Sequence, residues 1–598
     1  MKRVHSSRVA LAAALGFGLA AACVAACGKD RGDFGGPEQS FVVDAATEDA
    51  PECGFQCSLD GRSVIDSCTG SVVETCKPEL ACGAGRCQEP CAAAAADKSS
   101  NGCEFYFQMP RFTAEHPHSC YASYIVNTST LPVDISLELE GKALDLSKAM
   151  FRTNPGETTL IHHEGPIPAG QSVVLFVSVR DPNVPRSAAD NQTFVPCPDG
   201  VVPASNLEGV PSGTGIGTSY HLTTNVPVAV ATVFPFGGAA SFIPSAMLTF
   251  PVTTWSKQHV IVDGWEEGQG GRPATQILAS EDGTEVTILP KRDIQNGRGV
   301  VGSPATVPVT YKLDKGQLLQ FVQSDELTGS VVDSTKPTAI IGGNTCANIP
   351  AKAAACDLLA QQIPPFEQWG SEYAAVAYRP RMGNEHEVVP YRIVAARDGT
   401  RLDYDPVVPP GAPIMMSAGD VVTFHSGTGD AFVVRSQDVD HPIYLSAHMS
   451  GGGGDPATGA TYGAWGDPEF VNVVPSGQYL NAYSFYADPT FAETSLVLVR
   501  AKSRGAFSDV WLECAGNLTA WKPIGTRGEY EFTRVDLSRR SGPGDVFGTS
   551  VCRTGLQRAK SDGPFTATLW GWDRYASYAY PGGMAQRKLV KTPLPPVR

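Results

Sequence analysis

Cysteine is the residue type with the most distinctive chemistry in this sequence, which has 598 residues and 16 cysteines. Eight of the cysteines lie within residues 53–103, where few apolar side chains are available to form a core. An even number in so short a segment predicts four disulfides, whose connectivity the spacing leaves open. Zinc binding is the competing interpretation, but the segment has no histidine and no two cysteines separated by two residues. The eight residues are Cys53, Cys57, Cys68, Cys76, Cys82, Cys87, Cys91 and Cys103.

Six further cysteines lie beyond residue 103. Taken in chain order, they form three pairs, each inside one of the modules proposed below. We therefore predict the disulfides Cys120–Cys197, Cys346–Cys356 and Cys514–Cys552. Each bond is expected to contribute roughly 2 to 4 kcal/mol to stability. This density of disulfides indicates an oxidising compartment and therefore an exported protein.

The N-terminus has the pattern of an export signal. Basic residues at positions 2, 3 and 8 precede an apolar stretch that ends in Val24-Ala25-Ala26-Cys27. This ending resembles the lipobox of bacterial lipoproteins, in which the cysteine is acylated and becomes the first residue of the mature chain. We predict a signal peptide over residues 1–26, lipidation of Cys27 and a flexible tether over residues 27–50. An ordinary signal peptide cleaved at an Ala-x-Ala site is the alternative.

The overall composition excludes several classes of protein. Acidic residues outnumber basic ones by 61 to 46, and the basic residues form no cluster, so binding of nucleic acid is not expected. Glycine and proline are abundant, with 62 and 46 residues, as in turn-rich β proteins. Residues 222–256 carry no charge, but their prolines predict buried strands joined by turns rather than a membrane span. Contact with a membrane is therefore expected through the lipid anchor alone.

The chain beyond residue 105 consists of short runs that alternate apolar and polar residues between turn-forming ones. Such runs predict β-strands, and a single short helical piece is expected at residues 351–362. Sequence landmarks recur in the same order about 110 residues apart, which indicates duplicated modules. Trp255 is followed by Trp369, and Asp282-Gly283-Thr284 recurs as Asp398-Gly399-Thr400.

We predict an all-β protein built from tandem β-sandwich-like modules of about 110 residues, with a β-propeller as the alternative. The disulfide-rich module is assigned to residues 51–104. The first, second, third and fourth β modules are assigned to residues 105–250, 251–363, 364–477 and 478–585. Residues 586–598 form a tail, and the first module carries an insertion at residues 180–217.

Motifs of enzymes are incomplete in this chain. His163-Glu164 and His386-Glu387 each lack the second histidine of a zinc-protease helix, and a proline follows closely in both. There is no G-x-S-x-G nucleophile elbow and no phosphate-binding Gly-Lys-Ser/Thr loop. We therefore predict no catalytic residues, no metal site and no cofactor. A hydrolase remains an alternative, because its two catalytic carboxylates could come together only in the folded protein.

Several motifs resemble the N-terminal domain of the IgGFc-binding protein family. The two cysteines at positions 346 and 356 are followed by Gln362-Ile363-Pro364-Pro365 and Trp369-Gly370. The segments Ser245-Ala246-Met247-Leu248 and Tyr578-Ala579-Tyr580-Pro581-Gly582-Gly583-Met584 are similar to the family as well. The similarity covers about residues 105–585. It implies an extracellular recognition or adhesion domain and brings no catalytic residues with it.

The function predicted from the sequence is that of a lipid-anchored protein at the bacterial cell surface or outer membrane. Its β modules are expected to bind an extracellular protein or glycan, in adhesion or matrix attachment. A secreted polysaccharide-active hydrolase and a purely structural envelope protein are the alternatives. Contact with the partner is expected at two turn-rich loops, residues 180–217 and 450–466, and the candidate binding residues are Tyr462 and Trp465 of the second loop.

Overall fold

The computed structural model describes residues 54–184, 194–383, 387–454 and 461–597. Within them the regular secondary structure is almost entirely β, as predicted. Short 3-10 helices occur at Gly238–Ser241, Val252–Thr254, Phe366–Gln368 and Ser476–Gln478.

The disulfide-rich module contains short strands and one eight-residue helix. Disulfides join Cys57 to Cys82, Cys76 to Cys87 and Cys91 to Cys103. Cys68 is also disulfide-bonded, and Cys53 lies outside the described residues. The elements are β1 (Phe55–Cys57), β2 (Ser63–Asp66), β3 (Val72–Thr75), β4 (Ala81–Gly83), β5 (Arg86–Gln88) and α1 (Pro90–Asp97).

The first β module forms a nine-stranded antiparallel sheet in the order β11-β10-β12-β7-β14-β8-β9, with β6 and β15 also paired to β14. The strands of this part of the chain are β6 (Asn101–Phe107), β7 (Tyr121–Asn127), β8 (Ile135–Leu139), β9 (Lys142–Ala143), β10 (Met150–Arg152), β11 (Ile161–His162), β12 (Ser172–Ser178), β13 (Gly215–Thr218), β14 (Tyr220–Phe234) and β15 (Ser245–Thr249).

The second module forms an eight-stranded sheet in the order β13-β20-β17-β21-β18-β19, with β16 and β22 also paired to β21. Its first strand, β13, comes from the insertion of the first module. The other strands are β16 (Ser256–Val260), β17 (Pro273–Ala279), β18 (Thr284–Leu289), β19 (Val309–Leu313), β20 (Gln317–Val322), β21 (Val331–Ala347) and β22 (Asp357–Ile363).

The third module forms two four-stranded sheets, in the orders β23-β28-β25-β26 and β27-β24-β29-β30. Its strands are β23 (Glu372–Ala375), β24 (Val388–Ala395), β25 (Thr400–Asp405), β26 (Met415–Met416), β27 (Val421–Gly427), β28 (Phe432–Ser436), β29 (Ile443–Met449) and β30 (Glu469–Asn472).

The fourth module forms a nine-stranded sheet in the order β34-β33-β40-β32-β36-β35, joined by β31, β37 and β41, with β38 and β39 as a separate hairpin. Its strands are β31 (Leu480–Ala487), β32 (Glu493–Ala501), β33 (Val510–Leu512), β34 (Gly516–Asn517), β35 (Lys522–Ile524), β36 (Tyr530–Arg539), β37 (Gly542–Pro543), β38 (Val546–Phe547), β39 (Ser550–Val551), β40 (Gly555–Asp573) and β41 (Ala576–Pro581).

The sheets of the first, second and fourth modules each contain one long strand with an irregular register. In β14 the first half pairs with β6 and β8, the second half pairs with β7 and β15, and the register of pairing with β6 shifts near Pro227. Strands β21 and β40 bend in the same way close to Pro337 and Pro564. Proline lacks the amide hydrogen that a straight ladder needs, so it suits such an irregular position. In the third module this strand is divided into β28 and β29, with Pro442 just before β29.

The hairpin landmarks of the sequence have the same structure in the second and third modules. Gly283 and Gly399 have φ of +63° and +69°, a conformation that glycine adopts without strain. The hydroxyl of Thr284 donates to the carbonyl of Glu281 at 2.7 Å, and that of Thr400 donates to Arg397 at 2.8 Å.

The closing strands of the four modules contact one another. Strand β22 contacts β15 and β30, and β41 contacts the same two strands, so the four form a ring. All four strands are fully buried. The side-chain amide nitrogen of Gln361 lies 2.8, 3.0 and 2.9 Å from the backbone carbonyl oxygens of Ala246, Phe470 and Ala579, and so links all four modules.

Each of the four large hydrophobic cores contains residues of more than one β module. One core joins the first and second modules, the next joins the second and third, another joins the third and fourth, and the last joins the fourth mainly to the first. Each sheet therefore acts as half of a barrel that its neighbour completes, and the β-propeller alternative is wrong. Trp255 and Trp369 belong to the first two of these shared cores.

One predicted element is wrong. Residues 351–362 do not form a helix, because β22 pairs with β21 over residues 357–363 and is buried on both faces. A short apolar run of this kind is compatible with a helix or a buried strand, and only the pairing decides between them. The uncharged stretch at residues 222–256 does form buried strands, β14 and β15. In the part of the chain that the structure describes, no helix is both long enough and apolar enough to cross a membrane.

Candidate binding surface

A proline-rich segment of the third module, residues 406–415, carries four exposed aliphatic side chains. We call this segment the apolar loop. It follows β25 and leads into β26, which pairs with the beginning of β25. Val407, Ile414 and Met415 are 69%, 66% and 65% exposed, and Val408 is exposed as well. Aliphatic side chains grouped on one exposed segment indicate a contact surface.

The backbone of the apolar loop is fixed at several points. The hydroxyl of Tyr404 donates to the carbonyl of Pro413 at 2.8 Å, and the amide of Leu402 donates to Ile414 at 3.0 Å. The amide of His425, on β27, donates to the carbonyl of Pro410 at 3.3 Å. The loop therefore presents its side chains in a set conformation, which reduces the entropy lost on binding.

Asp405 anchors the start of the apolar loop to the fourth module. Its carboxylate accepts hydrogen bonds from the amide of Thr526 at 2.9 and 3.0 Å and from the hydroxyl of the same residue at 2.8 Å. Burial acts to raise the pKa of Asp405, but these bonds and those from Arg527 outweigh it and lower the pKa below its ordinary value. Asp405 therefore stays ionised near neutral pH, and the loop stays attached to its neighbour.

A cleft of about 680 Å³ lies beside the apolar loop. Val388, Val407 and Phe432 form apolar parts of its wall, and Pro523 of the fourth module closes one side. His425 and Asp430 add polar groups. A concave, largely apolar wall with a few polar groups is the usual composition of a binding site.

The lining of this cleft does not support hydrolysis of a glycosidic bond. Asp430 is the one carboxylate among its described lining residues, whereas hydrolysis needs a pair of carboxylates flanking the bond. Nor do the described ranges contain a group of three or more His, Cys, Asp or Glu side chains arranged to hold a metal ion.

The candidate residues Tyr462 and Trp465 are not exposed as an outward-facing recognition loop would require. Tyr462 is 5% exposed, and its ring packs against the guanidinium of Arg381 at 3.9 Å. Trp465 is partly buried, and its carbonyl accepts a hydrogen bond from Arg381 at 2.9 Å. Both therefore act in packing within the described residues of the loop, and residues 455–460 lie outside the described part.

The insertion at residues 180–217 also has a structural role. Its end forms β13, which pairs with β20 of the second module. The side-chain amide of Gln320 donates to the backbone carbonyls of Phe112, Pro211 and Gly213 at 3.0, 2.9 and 2.8 Å, so the insertion joins two modules. Residues 185–193 lie outside the described part.

The remaining residues singled out from the sequence are the body cysteines, Cys27 and two histidine–glutamate pairs. The body disulfides are Cys120–Cys197, Cys346–Cys356 and Cys514–Cys552, the pairs expected from chain order. Cys27 and His386 lie outside the described residues. Glu387 is buried and accepts a hydrogen bond from Arg381 at 2.7 Å, so it acts in an internal ion pair.

The apolar loop was not identified as a candidate site from the sequence. Its signal is a run of 14 uncharged residues, 406–419, with four prolines. Prolines exclude a central strand, so an apolar run of this composition has to lie in a loop.

Comparison with known proteins places most of the β body in one family. Residues 245–571 match the family model described as IgGFc binding protein. The human IgGFc-binding protein is 25% identical over 288 residues, which make up 47% of this chain and 5% of that protein. The chain therefore spans only a small part of this relative.

Proposed function

Because the chain belongs to the IgGFc-binding protein family, we propose that it binds an extracellular protein partner through the apolar loop of its third module and the adjoining cleft. The six described disulfides fit a protein that works in an oxidising environment. The proposal takes from the family a class of activity, binding, and from the geometry the surface that performs it.

The observation that carries the proposal is the fixed, exposed apolar loop. The buried centre of a protein interface is more apolar than the rest of the surface, and a polar rim surrounds it. The rim here includes the ion pair between Arg527 and Asp403, at 2.6 Å, and the side chains of His425 and Asp430. A partner with a complementary apolar surface would bury Val407 and Ile414 without reordering the loop.

The test combines Val407→Asp and Ile414→Asp in the full chain. Both side chains are exposed, so the fold should persist, while binding should weaken about a hundredfold because two charges would enter an apolar interface. The probes are an array of purified extracellular proteins that includes the Fc region of IgG, since the human relative is named for Fc binding. Surface plasmon resonance measures the affinities.

Val301→Asp is the matched control, because Val301 is 73% exposed in the second module, away from the apolar loop in sequence. It should bind the same array protein as the unmodified chain does. The proposal is wrong if the double variant binds as well as the unmodified chain, or if the unmodified chain binds no protein of the array.

For its location, we propose that Cys27 carries a lipid and attaches the protein to the outer surface of a bacterial membrane. The support is the sequence Val24-Ala25-Ala26-Cys27 after the apolar stretch. Adhesion or matrix attachment is the role that fits such an anchor. Replacing Cys27 with Ser should release the protein from membranes in cell fractionation, and unchanged membrane attachment of that variant would contradict the anchor.

A further inference from the structure

A second cleft, of about 490 Å³, lies between the first and fourth modules and has a different chemistry. Six of its 14 lining residues carry hydroxyl groups: Thr158, Thr159, Thr490, Ser538, Ser541 and Thr554. The hydroxyls of Thr490 and Ser538 donate to Asp488 at 2.6 Å and to the carbonyl of Phe491 at 3.4 Å, so they can only accept from a ligand, whereas the other four can both donate and accept. The cleft therefore matches a ligand that is itself rich in hydroxyls.

The walls of this cleft are held together across the two modules. The amide of Gly156, in the first module, donates to the carbonyl of Thr554, in the fourth, at 3.0 Å. The amide of Ser541 donates to Ala492 at 2.9 Å, and Cys552 beside the cleft is bonded to Cys514. The cleft is therefore formed before any ligand arrives, as ligand sites usually are.

Arg553 is the cationic group of the cleft. Its side chain is exposed, and in the ranges that the structure describes it forms no ion pair and no side-chain hydrogen bond. Its aliphatic stem lies against Gly156, where an added Cβ would stand 3.1 to 3.3 Å from the stem. Gly156 has a φ of +76°, so a residue without a side chain is needed there for two reasons. The absence of a side chain at Gly156 therefore lets the aliphatic part of Arg553 pack against the backbone.

The remaining lining groups complete the match to a sugar. Pro489, Phe491 and Pro543 provide apolar surface for the C–H face of a ring. The carboxylate of Glu157 accepts a hydrogen bond from Asn154 at 2.9 Å and has further oxygen lone pairs for ligand hydroxyls. It is the one carboxylate among the described lining residues, so the cleft has no pair for hydrolysis.

We infer that this cleft binds an acidic saccharide, with Arg553 contacting its carboxylate or sulfate and the threonine and serine hydroxyls contacting its ring hydroxyls. A guanidinium forms paired hydrogen bonds with either anion, which explains the choice of an acidic rather than a neutral sugar. The chain as a whole has a net charge of −15, so its long-range field does not attract anions. Recognition therefore has to come from local contacts in the cleft.

The experiment titrates the full chain with glucuronic-acid, sialylated and sulfated saccharides, with their neutral counterparts and with inorganic sulfate, by isothermal titration calorimetry. At least one acidic saccharide should bind about tenfold or more tightly than both its neutral counterpart and sulfate alone. Arg553→Ala should weaken that binding about tenfold or more, and Arg553→Lys by less, because lysine keeps the charge but loses the paired geometry. Thermal unfolding should be unchanged in both variants, since Arg553 has no side-chain partner among the described residues.

Arg298→Ala is the matched control, since Arg298 is another exposed arginine without a side-chain partner in the described ranges, on the second module. It should bind the saccharide as the unmodified chain does, and so should the double variant of the apolar loop, which separates this site from the protein-binding surface. The inference is wrong if no acidic saccharide binds, if neutral sugars or sulfate alone bind equally well, or if Arg298→Ala weakens binding as much as Arg553→Ala.

Discussion

Ion pairs join the fourth module to the third in addition to their shared apolar core, whereas stacked aromatic rings join it to the first. Against the third module, Arg379 pairs with Glu493 and with Asp536, the second pair at 2.8 Å, and Arg435 pairs with Glu529. Against the first module, the rings of Tyr124 and Tyr486 stack at 4.8 Å. We call these contacts the ionic interface and the aromatic interface.

The two interfaces stabilise the ring of modules in different ways. Buried ion pairs gain Coulomb energy but lose the hydration of both charges, so their net contribution is small while both partners are present. Stacked aromatic rings bury apolar area and lose little hydration. The ionic interface therefore favours one relative placement of two modules, whereas the aromatic interface supplies stability that tolerates small changes.

The largest predicted effect breaks the ionic interface. Arg379→Ala should lower the free energy of unfolding by about 3 to 5 kcal/mol, because it leaves the buried carboxylate of Glu493 without its cation and leaves Asp536 only the pair with Arg539 at 3.4 Å. Urea denaturation at pH 7 measures the effect. Arg574→Ala is the control, since Arg574 is exposed and has no side-chain partner among the described residues.

Replacing all three groups by neutral residues sharpens the same comparison. Arg379→Met combined with Glu493→Gln and Asp536→Asn should recover most of the lost stability, because no buried charge remains. A triple variant as unstable as Arg379→Ala would contradict the argument from desolvation.

The all-β class and many of the turns could be predicted from local sequence signals. The recurring Asp-Gly-Thr turns and the prolines before strands mark positions where the backbone itself dictates the conformation. Closure of the ring could not be predicted, because it depends on contacts such as the one between Tyr124 and Asp488, which are 364 residues apart in the chain. Short-range periodicity contains no information about such contacts.

The candidate sites show the same limit. Tyr462 looked available in a glycine-rich loop, but the neighbouring Arg381 provides a surface on which its ring is buried. Arg553 and Gly156 lie almost 400 residues apart, and each is unremarkable in sequence. The apolar loop was within reach, because a charge-free run with four prolines is a local signal.

The second prediction concerns the pH dependence of the contact between the third and fourth modules. The carboxylate of Asp467 accepts a hydrogen bond from the amide of Gly452 at 3.1 Å, and the backbone amide of Asp467 donates to the hydroxyl of Ser577 at 2.9 Å. Burial raises the pKa of Asp467 to about 7, although the hydrogen bond from Gly452 and the charge of Arg381 oppose the rise. The folded chain therefore keeps a proton that the unfolded chain releases near pH 4.

Stability should consequently fall as pH rises from about 4 to about 7 and then level off, because the folded state binds more protons in that window. Asp467→Asn removes this contribution, so at pH 8 the variant should be more stable than the unmodified chain by about 2 to 4 kcal/mol. Urea denaturation of both proteins at pH 5 and pH 8 measures the free energy of unfolding with Asp467 protonated and ionised. A variant with the same pH dependence as the unmodified chain would show that Asp467 does not titrate in this window.

The smallest predicted effect tests the aromatic interface. The hydroxyl of Tyr124 donates a hydrogen bond to the carboxylate of Asp488, whose pKa burial raises, while the hydroxyl of Thr490 donates to the other oxygen at 2.6 Å. Tyr124→Phe keeps the stack on Tyr486 and removes one donor from a buried acid that retains its other hydrogen bonds. We expect a loss of about 1 to 2 kcal/mol in urea denaturation, since one hydrogen bond to a buried group is lost and the packing stays. Tyr575→Phe, at an exposed tyrosine, should cost almost nothing. A loss from Tyr124→Phe as large as that from Arg379→Ala would mean that the contact between the first and fourth modules also depends on its polar groups, and the distinction between the two interfaces would then fail.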